Sequence, residues 1–170
     1  PEPPKLGSLE IVSKSGIYNS ENQVATWTII INSEKRTVSN LIVKDELLDA
    51  WNRGGVYKND SIIIKEGSTT LKNGEDYQID FSDNSDEQGK NPKMIISFLK
   101  SISDEVRIDY SVDYNNERFD NKLASESLFW LKNKVNSKYT VDGKDYEEND
   151  EATIEVKSSR FLIAKSGNLV

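Results

Sequence analysis

The sequence predicts an all-β protein, an antiparallel sandwich of about nine to ten strands. Its apolar periodicity is almost entirely of period two, the signature of strands with one buried and one solvated face. The apolar runs are short, closely spaced and rich in β-branched and aromatic residues. Turn chemistry punctuates them: Asn73-Gly74 and Asp142-Gly143 are hairpin signals, and Gly54-Gly55 marks a loop.

In chain order, strands are expected at 8–14, 23–32, 39–45, 60–65, 76–81, 93–99, 104–114, 119–131, 151–157 and 160–165. Segment 23–32 (QVATWTIIIN) is a nearly continuous β-branched run and reads as a central strand covered on both faces. A short helical turn is expected near 46–51, and the acidic stretch 82–92 (SDNSDEQGKNP) reads as a long polar loop. In 104–114 (DEVRIDYSVDY), Val106, Ile108, Tyr110, Val112 and Tyr114 share one face, while Arg107, Asp109, Ser111 and Asp113 share the other. In 151–157 (EATIEVK), Ala152, Ile154 and Val156 point inward.

Composition narrows the function. The chain has 170 residues, one domain's worth, with 35% apolar and 30% charged residues. That is a thin core under a very polar surface. Lys+Arg 22 against Asp+Glu 29 gives −7, a poor balance for binding nucleic acid or anionic membrane. No apolar run approaches the ~20 residues of a membrane span, so membrane insertion is not expected. The chain holds no cysteine and no histidine. Disulfides, thiol nucleophiles, the usual zinc sites and every triad built on an imidazole are thereby excluded. No enzyme turnover and no cofactor or metal is expected.

Residues 1–6, with their PEPP opening, read as a linker, 7–160 as the domain, and 161–170 as the start of a following tandem domain or a linker. The last assignment rests on an echo between LEIVSKSG (9–16) and FLIAKSG (161–167), which aligns Lys14 with Lys165. Lys165 is expected to be unbonded within this chain.

Three polar residues stand on apolar faces. Asp45 is in phase with Leu41, Val43 and Leu47; Asn121 with Phe119 and Leu123; Lys14 with Val12, although Glu10 shares that parity. A buried charge without a partner is strongly unfavourable, and one lysine, one carboxylic acid and one asparagine can satisfy one another. The chemistry open to such a trio is an intramolecular isopeptide bond. Desolvation makes a neutral amine accessible to a lysine, and lets a carboxylic acid keep a proton with which to polarise an amide carbonyl. Attack of the Lys14 nitrogen on the Asn121 side-chain carbon with loss of ammonia leaves an amide, and rigid neighbouring strands supply the proximity. Each residue also has a plain structural reading: a lysine snorkelling to solvent, an aspartate capping a turn, an asparagine satisfying a bulge.

The run TWTIIINSEKRTVSNLIVKDEL (26–47), preceded by a KSG-type lysine motif and followed by VRIDYSVDY and FDNKLA (106–124), resembles the collagen-binding-type adhesin domain of Gram-positive surface proteins. The resemblance covers most of residues 7–160. It implies an immunoglobulin-like sandwich in which a first-strand lysine joins an asparagine near the last strands, assisted by an aspartate. Residue by residue, it places the cross-link at Lys14 and Asn121, with Asp45 assisting, and Trp27 in the core beside them. It also implies an extracellular setting at the cell wall, with neighbouring tandem domains as partners. The expected function is a stalk module stapled by the isopeptide bond. The alternative is a ligand-binding domain for a host matrix protein such as collagen, or for a glycan; the chain matches one such domain, whereas collagen binders of the family use two.

Other features carry less. A calcium loop starting at Asp83 would need Gly and Glu where Gln88 and Met94 stand, leaving at most a looser carboxylate site in 80–91. The run 145–151 (DYEENDE) reads as a solvated hairpin flank. Trp51 with Tyr57 reads either as an exposed aromatic contact or as a loop folded over the sandwich edge.

Overall fold

A computed structural model describes residues 12–48, 54–81, 91–115 and 128–157. These residues form eleven strands: β1 (Val12–Asn19), β2 (Val24–Ile31), β3 (Ser39–Leu47), β4 (Val56–Tyr57), β5 (Ile63–Glu66), β6 (Thr69–Thr70), β7 (Tyr77–Asp80), β8 (Lys93–Phe98), β9 (Val106–Asp113), β10 (Leu128–Val141) and β11 (Lys144–Lys157). One sheet runs β1-β2-β9-β5-β6 with β4 added on β9; the other runs β11-β10-β3-β8-β7. All strand pairs are antiparallel. The strand count exceeds the expected nine to ten because β4 and β6 are two-residue pieces too short to show a period.

The core lies between the sheets, where each strand delivers alternate side chains. Sheet one contributes Ala25, Trp27, Ile29 and Ile31 from β2 and Val106, Ile108, Tyr110 and Val112 from β9, all buried. Sheet two contributes Leu41, Val43 and Leu47 from β3 and Leu131, Val135, Tyr139 and Val141 from β10. The inward positions of 151–157 are as expected, with Ile154 and Val156 buried.

Several expectations change. Strand β2 is central by hydrogen bonding, between β1 and β9, yet it is covered on one face only, with Thr26 exposed and Ile30 partly so. Its long β-branched run reflects strand propensity rather than double burial. Asn73-Gly74, with Gly74 at φ 92°, does form a turn, but the chain there leaves β6 in one sheet for β7 in the other instead of closing a hairpin. The second half of the expected strand 60–65 holds as β5, but a 3-10 turn at Asn59–Ser61 takes its beginning. Of 46–51, Glu46 and Leu47 still belong to β3, and 49–51, where the helical turn was expected, lie outside the described residues. The last third of the domain is dominated by a feature read only in part, a hairpin of two 14-residue strands, β10 and β11, turning at Asp142-Gly143. Run 145–151 lies inside β11 on that hairpin's flank, as expected. The 82–90 loop, Trp51, Lys165, the proposed linker 1–6 and the 161–170 segment lie outside the described residues.

Candidate functional site

Lys14 follows Val12 on the inward face of β1, so its side chain enters the sandwich instead of leaving it, and no part of that side chain is exposed. Opposite, β3 turns Asp45 inward between Val43 and Leu47, also fully buried. The lysine Nζ donates to Asp45 Oδ1, a buried ion pair joining the two sheets. Both side chains point inward, as their phase with apolar neighbours predicts, and neither snorkels to solvent or caps a turn.

Two tyrosines complete the surroundings of the pair. Tyr110 of β9 donates its hydroxyl to Asp45 Oδ1 and accepts from Lys14 Nζ. Tyr57 of β4 donates to Asp45 Oδ2 at 2.8 Å, so both carboxylate oxygens are satisfied. Tyr57 is 4% exposed, which removes it as an exposed aromatic contact. Aromatic faces close the site: Nζ lies 4.9 Å from the Tyr110 ring centroid and 5.5 Å from that of Trp27. Such faces attract a cation while excluding the water that would hydrate it.

An asparagine is present as well. Asn133 points inward from β10 between Leu131 and Val135, and it is fully buried. Its Nδ2 donates to the Tyr110 hydroxyl oxygen at 2.8 Å, while its buried Oδ1 has no hydrogen-bond partner. Lys14 Nζ and Asn133 Nδ2 therefore share one acceptor atom. Asn121 lies outside the described residues. A signal for Asn133 was available: the period-two face Leu131, Val135, Tyr139, Val141 continues past the expected strand end at 131, with Asn133 in phase.

The electrostatics follow from burial. Desolvation holds the Lys14 ammonium below its ordinary pKa, opposed by the attraction of Asp45. Desolvation, then the Asp45 charge, pushes the Tyr57 and Tyr110 hydroxyls well above theirs, so both remain proton carriers. The arrangement is a dry compartment that holds an amine eased toward its neutral form against a carboxylate, with the Asn133 amide joined to both through the Tyr110 hydroxyl. Among the described residues, no group of three or more acidic side chains is placed to hold a metal ion.

The strand bearing the lysine is also fixed at its outer edge. The Lys14 backbone N–H donates to Asp150 Oδ2 of β11 at 2.9 Å. Lys14 lies beside Asp150, and a Cβ on Gly16 would sit 2.8 Å from Ile154 Cδ1, so β1 and β11 lie side by side in the same sense.

No protein-family model matches the chain, and no curated protein matches it in sequence. Solved structures do share its fold. The collagen-binding subdomain ACE19 of an Enterococcus faecalis surface protein superposes with a TM-score of 0.58 at 13% identity, covering 88% of this chain and 99% of that one. The collagen-binding domain of a Staphylococcus aureus adhesin gives 0.54 at 16% identity, covering 85% and 98%. The major pilin SpaD of Corynebacterium diphtheriae gives 0.55 at 14% identity, covering 86% of this chain and 34% of the pilin. The immunoglobulin-like sandwich is thus the common ground.

Proposed function

We propose that this domain is a structural module of a Gram-positive cell-surface adhesin or pilus-like stalk, closed by an autocatalytic amide between Lys14 Nζ and Asn133 Cγ. Lys14, Asp45 and Asn133 meeting around the Tyr110 hydroxyl inside a sandwich is the observation that carries this reading. Likeness in fold to surface adhesins and a pilin supports the extracellular, cell-wall setting and the partnership with neighbouring domains of the same protein. Asp45 takes the ammonium proton, Nζ attacks the amide carbon, and ammonia leaves. The acceptor is Asn133 in place of Asn121, because Asn133 reaches the buried pair through Tyr110.

The bond closes a loop of more than a hundred residues, and by analogy with a disulfide of that span it stabilises by about 4–5 kcal/mol. A sandwich with a small apolar fraction and no disulfides gains most from such a constraint.

Intact-mass spectrometry tests the reading. The wild-type chain is expected to be lighter than its sequence by one ammonia. Lys14→Ala and Asn133→Ala should restore the full mass, Asp45→Ala should restore most of it, and Asn121→Ala should leave the deficit unchanged. A full-length mass in the wild type rejects the cross-link. A deficit lost in Asn121→Ala but kept in Asn133→Ala moves the acceptor to Asn121.

A second reading, a ligand-binding domain, is favoured by the collagen-binding neighbours and by a shallow groove on the outer face of sheet two, lined by Ile42, Lys44, Ile95, Lys134 and Asn136. Binding scans against collagens, fibrinogen and glycans test it, with saturable binding lost in Ile42→Asp as the supporting result.

A further inference from the structure

Among the described residues, Tyr110 is the side chain that hydrogen-bonds to Lys14, Asp45 and Asn133 alike. Its hydroxyl oxygen accepts from Lys14 Nζ and from Asn133 Nδ2, and its proton goes to Asp45 Oδ1. The cross-link proposed above requires a proton to travel from the amine that attacks to the amide nitrogen that leaves. Asp45 is bonded to the first nitrogen, whereas Asn133 Nδ2 has its hydrogen bond to Tyr110. The only described group bridging the carboxyl to the leaving nitrogen is this phenol. Its place is fixed by the β2–β9 register, which sets Trp27 opposite Tyr110, and by packing of its ring against Tyr57 with centroids 6.0 Å apart.

We infer that Tyr110 is a catalytic residue of bond formation, relaying the proton that Asp45 takes from Lys14 to the departing Asn133 nitrogen. This rests on the isopeptide reading and names a member of that site that a lysine, aspartate and asparagine alone do not include. The steps balance as follows. The Lys14 ammonium gives one proton to the Asp45 carboxylate. The neutral Nζ forms a bond to Asn133 Cγ, and the carbonyl electrons move to Oδ1. Tyr110 passes its proton to Nδ2 and takes the Asp45 proton in the same movement, returning to its starting form. The Cγ–Nδ2 bond breaks with the electron pair on nitrogen, the carbonyl re-forms, and ammonia leaves. The extra proton on Nζ passes to Asp45, leaving a neutral amide. Nothing outside the site is consumed. Because burial keeps the phenol protonated, the relay stays loaded at neutral pH.

The test follows newly synthesised chain. Full-length wild type, Tyr110→Phe and Tyr57→Phe are made by cell-free synthesis, quenched in acid at intervals, and weighed intact. Tyr57 bonds only to Asp45, so its loss leaves the relay in place. Loss of a positioned general acid typically slows a reaction by about 10²–10⁴-fold. Tyr110→Phe should therefore lose ammonia at least about 100-fold more slowly than wild type, and Tyr57→Phe much less so. Cross-linking of Tyr110→Phe at the wild-type rate overturns the relay and leaves the isopeptide reading intact. A wild type that never loses ammonia overturns both. A ring-fluorinated tyrosine at 110 covers the case in which Tyr110→Phe does not fold, since it keeps the shape and changes only the acidity. A changed rate supports the relay, and an unchanged one overturns it.

Discussion

Two residues beyond the lysine, Gly16 sets how closely β1 packs on the core. A Cβ there would lie 2.4 Å from Trp27 Cε3 and 2.8 Å from Ile154 Cδ1, a space filled by an indole ring that cannot swing aside. The same indole lies beside Lys14 Nζ, so the glycine and the dry lysine site are two sides of one packing solution. Gly16→Ala is expected to destabilise by about 1–3 kcal/mol through overpacking, measured by urea unfolding in an Asn133→Ala background where no cross-link confounds the equilibrium. Lys14 and Asp45 were legible in the sequence because each is a charge at an inward position of an otherwise apolar alternation. Asn133 was not read, because its strand was expected to stop at 131. Tyr57 and Tyr110 were hidden differently. A tyrosine on an apolar face looks like core, and the target of its hydroxyl depends on which strand lies across the sandwich, information no single segment contains.

At the scale of elements, the β10–β11 hairpin turns on two residues of positive φ, Asp142 at 50° and Gly143 at 75°, the geometry that matches the twist of paired strands. Here glycine is needed for its backbone and not for space, since nothing lies within 4 Å of a Cβ on Gly143. Gly143→Ala should therefore lose about 1–2 kcal/mol of stability with no change in packing, a purely conformational penalty that urea unfolding in the same background measures. Asp142-Gly143 identified this turn correctly, because a two-residue type of loop is encoded locally. Asn73-Gly74 has the same dipeptide chemistry but joins different sheets, and strand partnership is settled by tertiary packing. The short strands β4 and β6 were invisible for a related reason: two residues have no period, and their existence depends on β9 and β5 offering an edge.

For the whole molecule, the proposed bond changes which residues resist extension. Between the start of β1 and the end of β11, an uncross-linked chain pulled apart releases on the order of 500 Å, at about 3.5 Å per residue. With Lys14 joined to Asn133, everything between them is bypassed, and only on the order of 90 Å can be released. Single-molecule pulling should therefore show a short extension in wild type and a long one in Asn133→Ala; equal extensions would refute the load-bearing role. The all-β architecture and its two-sheet character were readable from alternation and turns, while this wiring of strands across the sandwich was not, because it is a property of topology.

The side-by-side course of β1 and β11 has a mechanical consequence. Since the two strands run in the same sense, the start of β1 and the end of β11 lie toward opposite ends of the sandwich. Tension applied at those points runs along the strands, so the long β10–β11 ladder is loaded in shear. Its hydrogen bonds then share the force together instead of opening one after another like a zipper, and the hairpin becomes the element that decides when the module yields.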